Sequence, residues 1–436
     1  MQLKKTVANT FFVIYYEIPS TYQFFKVSLM ITLLDLKELS TRAKAVVANA
    51  REKMLAPESV KRAPLFSVTD VEEAVGLSAS RVRTLLRTSS DAQGKLPQGR
   101  TKQEIEATEE AGETLDGRGQ KKFFTVEEYH RILRCLIPSR FKPAGMPGVI
   151  APVVNFKGGV AKSTSAACIA QALSCLGHKV CVLDLDPQGS LTNLFGYLQI
   201  LDVRGDQTAY SVLAGDSQTL KPCIRKTYWP GIDIVPSAPQ LQVVESNFKR
   251  DLEKHGTDVL ARLSRPLKEL QQEYDFIIID TPPSLNNLTL HALLNADGVL
   301  MPLPPSNLDL ASASQFWDLF LESCQMLGIT DDNAPVFRFL RIFSTKTEEK
   351  TRSCRNVLSW IKDSYGSYCS AVRVPKSAAV TNASDAFGTV FDVPVDTSIK
   401  KGSSQQIVRS MYLELANEIY IEANEIWRPT TQAASN

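Results

Sequence analysis

The stretch Asn155-Phe156-Lys157-Gly158-Gly159-Val160-Ala161-Lys162-Ser163-Thr164 decides how the rest of the chain is read. An apolar run, Val149 to Val154, precedes it, and Ser165 to Leu176 follows with the composition of a helix. Strand, glycine turn and helix start form the setting in which backbone N–H groups close around phosphate oxygens. Lys162 supplies a point charge, and the Ser163 hydroxyl suits Mg²⁺. The strict pattern G-x-x-x-x-G-K-[ST] is not met, because Phe156 and Ala161 stand at its two glycine positions. What is met is K-G-G-x-x-K-[ST], with an added lysine, Lys157, at the front.

Outward from the loop, residues 149–427 alternate apolar runs with helical patterns. Strands are expected at 149–155, 179–185, 232–236, 275–280, 298–303, 335–343 and 370–374. Helices are expected at 163–176, 257–273, 287–295, 309–327, 350–363 and 403–425. That alternation predicts an α/β fold with a doubly wound, mostly parallel sheet, whose ligands sit at the carboxyl ends of the strands. Pro152 lacks the N–H a central strand needs, so it is read as the strand's first residue or a bulge. Two further apolar runs end in carboxylates: Val180-Cys181-Val182-Leu183-Asp184-Leu185-Asp186-Pro187-Gln188 and Phe276-Ile277-Ile278-Ile279-Asp280-Thr281-Pro282-Pro283. A carboxylate delivered by a strand beside a phosphate loop is suited to hold the Mg²⁺ shell.

Composition narrows the classes. The 436 residues exceed one ordinary domain, and 44% hydrophobic content supports a substantial core. Net charge is +2, from 49 basic and 47 acidic residues, so only local clusters can point to a charged partner. The eight cysteines are scattered without C-x-x-C, which reads as reduced thiols in a cytoplasm. The four histidines, at 130, 178, 255 and 291, lack metal-ligand spacing. Histidine catalysis and a zinc frame are disfavoured on those grounds.

Residues 1–34, rich in apolar side chains from residue 6 onward, are broken by Glu17, Pro19 and Lys26, so no clean span of about 20 apolar residues exists. They are read as an extension, with Met30 as the native start. Residues 35–145 are expected to form a helical region. Leu36, Leu39, Ala43, Val46, Val47 and Ala50 recur at helical spacing. Phe66 to Arg87 then reads as helix, turn, helix. Ser67 or Thr69 caps the first helix, Gly76 makes the turn and Ser78 caps the second. Ser80, Arg81, Arg83 and Arg87 on the second helix suit phosphate and guanine contacts in a major groove. Residues 89–122 read as a wing or loop, Thr125 and Glu128 as a capping box, and 138–148 as a linker.

With the Lys-Gly-Gly loop, D-x-D-P-Q and D-T-P-P in this order, the chain resembles the ParA family of partition ATPases, in its larger plasmid-type form with an N-terminal winged helix-turn-helix. The resemblance covers about residues 66–425. It implies an all-α winged helix-turn-helix region at 35–145, a P-loop ATPase domain at 146–427 and a polar tail at 428–436. It implies ATP and Mg²⁺ as cofactors. Lys157 matches the signature lysine that reaches across a nucleotide-sandwich homodimer, and Lys162 the lysine on the β- and γ-phosphates. Gly158, Gly159, Val160, Ala161 and Thr164 complete the nucleotide loop. Ser163 and Asp280 match the Mg²⁺ residues, and Asp186 the residue that orients the attacking water. Pro375, in Val374-Pro375-Lys376-Ser377-Ala378, matches the stretch near the adenine. Arg352, Arg355 and Lys376 fall where family members bind nonspecific DNA. A ParB-like adaptor, operator DNA, slow basal turnover and a cytoplasmic, nucleoid-associated location in a bacterium complete the implication. A MinD-like ATPase would need a basic amphipathic C-terminal helix, whereas Glu414, Glu418, Glu422 and Glu425 make this one acidic. A transcriptional regulator with weak ATPase activity is the other alternative.

Overall fold

The computed structural model describes residues 33–55, 61–105, 121–329, 335–385, 387–392 and 402–428. The expected extension at 1–29 and the polar tail from 429 onward lie outside them. Residues 1–50 and 51–436 form two separate units. Helix α1 spans Leu33–Leu55, with Leu36, Leu39 and Val46 exposed.

The second unit begins with a small region built on helices. Strand β1 (Phe66–Ser67) leads into α2 (Val68–Val75), and α3 (Ala79–Thr88) follows the turn at Gly76. Ser67 is the cap: its hydroxyl accepts from the Asp70 N–H, and the Asp70 carboxylate accepts from the Ser67 N–H at 2.5 Å. Gly76 has φ +72°, a left-handed conformation in which glycine carries no Cβ penalty. Ser78 occupies the cap position of α3, but its hydroxyl turns to Ser80 Oγ at 3.2 Å instead of the helix N–H groups. The region is not purely helical. A hairpin of β2 (Ser90–Asp91) and β3 (Gly94–Lys95) follows α3, and β4 (Phe123–Phe124) pairs antiparallel with β1. Two-residue strands give almost no sequence signal. Arg131 on α4 (Val126–Leu136) holds the hairpin by a bidentate pair with Asp91 at 2.9 and 2.8 Å. Thr125 and Glu128 cap α4 as the sequence predicts.

The main sheet runs β12-β11-β10-β5-β9-β6-β8-β7. Its strands are β5 (Val149–Val153), β6 (Val180–Asp184), β7 (Arg225–Lys226), β8 (Ile232–Val235), β9 (Phe276–Asp280), β10 (Gly298–Leu303), β11 (Phe339–Thr347) and β12 (Cys369–Pro375). All pairings are parallel except β7 with β8, where an antiparallel edge strand appears that the sequence did not announce. Successive side chains enter opposite layers. Val149, Ala151 and Val153 join one core cluster while Ile150 joins another, and Phe276 and Ile278 divide from Ile277 and Ile279 in the same way. Burial on both faces explains why these strands are apolar at nearly every position. Each fully buried Ile contributes about 1.5–3 kcal/mol.

Helix α5 (Lys162–Cys175) follows β5, and α6 (Ser190–Leu194) follows β6. Helix α7 (Leu241–His255) was not expected, and the expected helix 257–273 divides into a 3₁₀ segment at Gly256–Ala261 and α8 (Ser264–Glu273). Gly256, with φ +62°, ends α7. Then come α9 (Asn287–Leu294), α10 (Asn307–Met326), α11 (Arg352–Tyr365), α12 (Ala378–Asp385) and α13 (Ser404–Trp427). The α4 side chains Tyr129, Ile132 and Leu133 share a core cluster with α5 and α13. His130 Nε2 lies 2.6 Å from the Ser174 carbonyl of α5, and Arg134 pairs with Asp275.

Pro152 corrects the sequence reading. It is the fourth residue of β5, neither its first nor at a bulge, and is registered with Ile279 of β9. The N–H groups of Ile150 and Val154 point toward β10, bonding Asp297 Oδ2 and the Leu300 carbonyl at 2.9 Å each. Pro152 lies between them on that side. Its missing donor therefore falls on the β5–β10 seam, where Val153–Leu300 is the registered pair, and the β9 side stays unbroken.

Candidate functional site

The phosphate-type loop leaves the carboxyl end of β5 and is pinned at its root. Asn155 Nδ2 donates to the Pro302 carbonyl at 2.8 Å, and Asn155 Oδ1 accepts from the Lys157 N–H at 2.9 Å. Gly159 (φ +75°) and Ala161 (φ +74°) both take left-handed conformations. Ala161 is the cap residue of α5, so the helix's free N–H groups open at the loop, the usual setting for an anion. Gly158 and Gly159 are exposed, Val160 is buried, and Ser163 and Thr164 are half-buried. From the far side, Thr345 Oγ1 donates to the Val160 carbonyl at 3.1 Å and Lys346 Nζ to the Gly159 carbonyl at 2.5 Å.

The two loop lysines differ in situation. Lys162 is buried, and its ammonium donates to the Lys157 carbonyl at 3.1 Å. Burial lowers its pKa, while Asp280 and Asp186 oppose that shift. Lys157 is half-exposed and forms an ion pair with Asp309 Oδ1 at 2.9 Å. Asp309 sits in the first turn of α10, where the Ser306 hydroxyl accepts from its N–H at 3.2 Å. Asp309 was not singled out in the sequence. Ser306-Asn307-Leu308-Asp309 reads as a helix start, but nothing local reveals a partner at position 157.

Three carboxylates converge opposite the lysines. Asp184 ends β6, fully buried, and accepts from Thr192 N and Oγ1 at 2.8 and 2.6 Å. Asp186 is buried and accepts from the Gln188 N–H at 2.9 Å, while its carbonyl accepts from Ser237 Oγ at 2.5 Å. Asp280 ends β9 beside Asp184, with which it is registered across the strands. Neither Asp280 oxygen has a hydrogen-bond partner among the described residues, although the carboxylate is completely buried. The Ser163 hydroxyl faces it without closing a bond of ordinary length. Desolvation raises the pKa of Asp280 and of Asp184; the Asp186 charge adds to both rises and the Asp280 charge to that of Asp184, while the Ser163 hydroxyl and Lys162 counter the rise at Asp280. A buried carboxylate with two unbonded oxygens is costly unless a cation answers it. One carboxylate and one hydroxyl, with phosphate and water completing the shell, suit Mg²⁺, which takes few protein ligands. The donor set therefore fits that ion.

The remaining predicted residues fall in three places. Pro375 ends β12 and is registered with Thr347 of β11, on the sheet edge where Thr345 and Lys346 reach the loop. Ser80, Arg81, Arg83 and Arg87 are exposed on α3, opposite the buried Val82 and Leu86, far from the loop in sequence and in a different element. Arg352 and Arg355 are exposed at the start of α11, and Arg355 donates to the Glu349 and Lys350 carbonyls at 2.8 and 3.0 Å. Lys376 is exposed but paired with Glu348 at 2.6 Å. Lys346, at φ +54°, is a further loop-contacting residue, one to which the sequence assigns no role at the loop.

The family described as AAA domain matches residues 148–326. A provisionally named replication protein A of Sinorhizobium fredii is 30% identical over 367 residues, covering 82% of this chain and 83% of that protein. Protein SopA of Escherichia coli strain K12 is 26% identical over 374 residues, 84% of this chain and 89% of SopA. A solved structure titled Partition Protein, 21% identical with a TM-score of 0.52, covers 80% of this chain and 94% of that one, and supports the fold. These likenesses extend well beyond the P-loop segment and take in most of the chain's length. The chain belongs to the ParA family of partition ATPases.

Proposed function

We propose that the protein binds and hydrolyses ATP with Mg²⁺ as a nucleotide-sandwich homodimer, and that this cycle drives partition of a replicon. The observation that carries the reading is the orphaned Asp280 carboxylate facing a loop that bears Lys157 and Lys162. Ser163 and Asp280 would hold Mg²⁺, which when bound offsets charge on the phosphates. Lys162, buried and fixed, would bind phosphate oxygens, and the loop N–H groups would orient them. Asp186 would hold the attacking water, while Pro375 would border the base. Catalysis of this type rests on positioning and charge neutralisation, so slow basal turnover is expected.

DNA enters the reading twice. The exposed face of α3, with Ser80, Arg83 and Arg87 spaced along one side and Arg81 beside it, supports operator binding and repression of the protein's own operon. Arg352, Arg355 and Lys376 support nonspecific DNA binding in the ATP state, with Arg352 the least committed to local contacts. A ParB-like adaptor would stimulate turnover. No described helix is long and apolar enough to cross a membrane, and the C-terminal helix is acidic, with Glu418 and Glu422 engaged by Arg341. We favour a cytoplasmic, nucleoid-associated role over a MinD-like one. A regulator with weak ATPase activity is the second reading, favoured by Ala161 in a left-handed position.

The test is ATP binding and turnover with Mg²⁺, with and without DNA and a ParB-like protein. Lys162→Ala should lose nucleotide binding, and Asp280→Asn should stay folded while losing Mg²⁺-dependent turnover. Undiminished turnover in Lys162→Ala would overturn the site. Arg81→Ala with Arg83→Ala should lose operator binding and keep ATPase activity.

A further inference from the structure

The peptide that carries Asp186 is held at both of its polar groups. The Asp186 N–H donates to Asp184 Oδ1 at 3.1 Å. The Asp186 carbonyl accepts from Ser237 Oγ at 2.5 Å and from the Gly189 N–H at 2.9 Å. Thr192 joins the two holds. Its hydroxyl donates to Asp184 Oδ2 at 2.6 Å and accepts from the Ser237 N–H at 2.9 Å. The bonds close a ring that runs from the Asp186 N–H through Asp184, Thr192 and Ser237 back to the Asp186 carbonyl. Its members come from the end of β6, from α6 and from the segment just beyond β8. Asp184, Thr192 and Ser237 are all fully buried, so solvent does not compete for these bonds.

Satisfying buried polar groups does not by itself call for this ring. With alanine at 237 the Asp186 carbonyl would still accept from the Gly189 N–H, so no main-chain group depends on the Ser237 hydroxyl for its first partner. What the second bond adds is direction. Asp186 Oδ1 accepts from the Gln188 N–H at 2.9 Å, and Oδ2 has no hydrogen-bond partner among the described residues. With the peptide fixed at both groups and Oδ1 tied, the free oxygen is confined to one place. Such placement governs rate, since an error of about 1 Å at a reacting group can cost about a hundredfold. We propose that Thr192 and Ser237 are positioning residues for ATP hydrolysis, which hold Asp186 through its own peptide so that its carboxylate meets the attacking water. This rests on the ATPase reading and on the role it gives Asp186. Neither hydroxyl touches the nucleotide: each is spent inside the ring.

The experiment compares the full chain with Ser237→Ala, Thr192→Val, their double variant, Thr192→Ser and Asp186→Ala. Phosphate release from ATP with Mg²⁺ gives kcat and KM, and titration with a slowly hydrolysed ATP analogue gives affinity. Ser237→Ala and Thr192→Val should each lower kcat about tenfold, with KM and analogue affinity within about twofold of the parent. Thr192→Ser keeps the hydroxyl and should keep the parent kcat. The double variant should lose no more than the worse single one, because either change opens the same ring. If Thr192→Val does not fold, Ser237→Ala, which leaves the Thr192 bonds in place, decides. A parent-like kcat in Ser237→Ala, a matching loss of affinity and kcat, or additive losses in the double variant would overturn the proposal. The ATPase reading fails separately. Parent-like turnover in Asp186→Ala would overturn the role given to that residue and the proposal with it, whereas turnover lost in Asp186→Ala and kept in Ser237→Ala would overturn the proposal alone.

Discussion

Lys157 Nζ lies 2.9 Å from Asp309 Oδ1, an ion pair between the front of the phosphate loop and the first turn of α10. The lysine is held within its own subunit. If it serves a partner's nucleotide, as the sandwich reading requires, it must first leave Asp309. The pair then acts as a latch on the free subunit. A partly exposed pair of this kind is worth about 0.5–1 kcal/mol. Asp309→Asn keeps the side chain's size and removes the charge. It should tighten ATP-dependent self-association by about two- to fivefold, measured by sedimentation with a slowly hydrolysed ATP analogue. Lys157→Ala should weaken it. A weaker or unchanged dimer in Asp309→Asn would dismiss the latch.

Ala161 is the loop's weak position. Its φ of +74° lies where an L side chain costs about 1–2 kcal/mol. Glycine removes that strain but loses about 0.4–1 kcal/mol through the freer unfolded chain. Ala161→Gly should therefore raise the unfolding free energy by about 0 to 1.6 kcal/mol, read as a slightly higher urea midpoint, without weakening nucleotide binding. Ala161→Val, β-branched at a left-handed position, should lower it. A lower midpoint for the glycine variant would show that the loop is not strained there in solution.

Much of the sheet was legible because its strands are buried on both faces and so read as unbroken apolar runs. Asp186 and Asp280 were legible for the same reason: a carboxylate ending such a run stands out. Helix α7 escaped because Leu241 and Val244 are its buried residues, too few to mark a face. The edge strand Arg225–Lys226 is too short and too polar to signal anything. Asp309 and Lys346 escaped for a different reason. Each meets the loop across more than 150 residues of chain, and such contacts leave no local pattern. Pro152 was misjudged because the rule against proline in a central strand assumes that the neighbour on its N–H side needs the donor. Here that side is the β5–β10 seam, which has a single registered pair, Val153 with Leu300.

The histidines give the chain a predictable acid limit. His130 is half-buried where α4 meets α5, with Nε2 at 2.6 Å from the Ser174 carbonyl, so the neutral ring donates there. Burial lowers its pKa to about 4, and Arg134 pushes the same way. His291 is likewise lowered to about 4 by burial, and His178 is lowered too. The unfolded value is about 6.5. A folded pKa below the unfolded one means that the unfolded chain binds the proton more readily. The stability these rings contribute is therefore complete above about pH 6.5 and is lost as pH falls from there toward 4. The urea midpoint should fall between pH 7 and pH 5. His130→Gln, which can keep the donor to Ser174 without titrating, should flatten part of that fall. An unchanged pH slope in the variant would show that His130 is not held neutral at this junction.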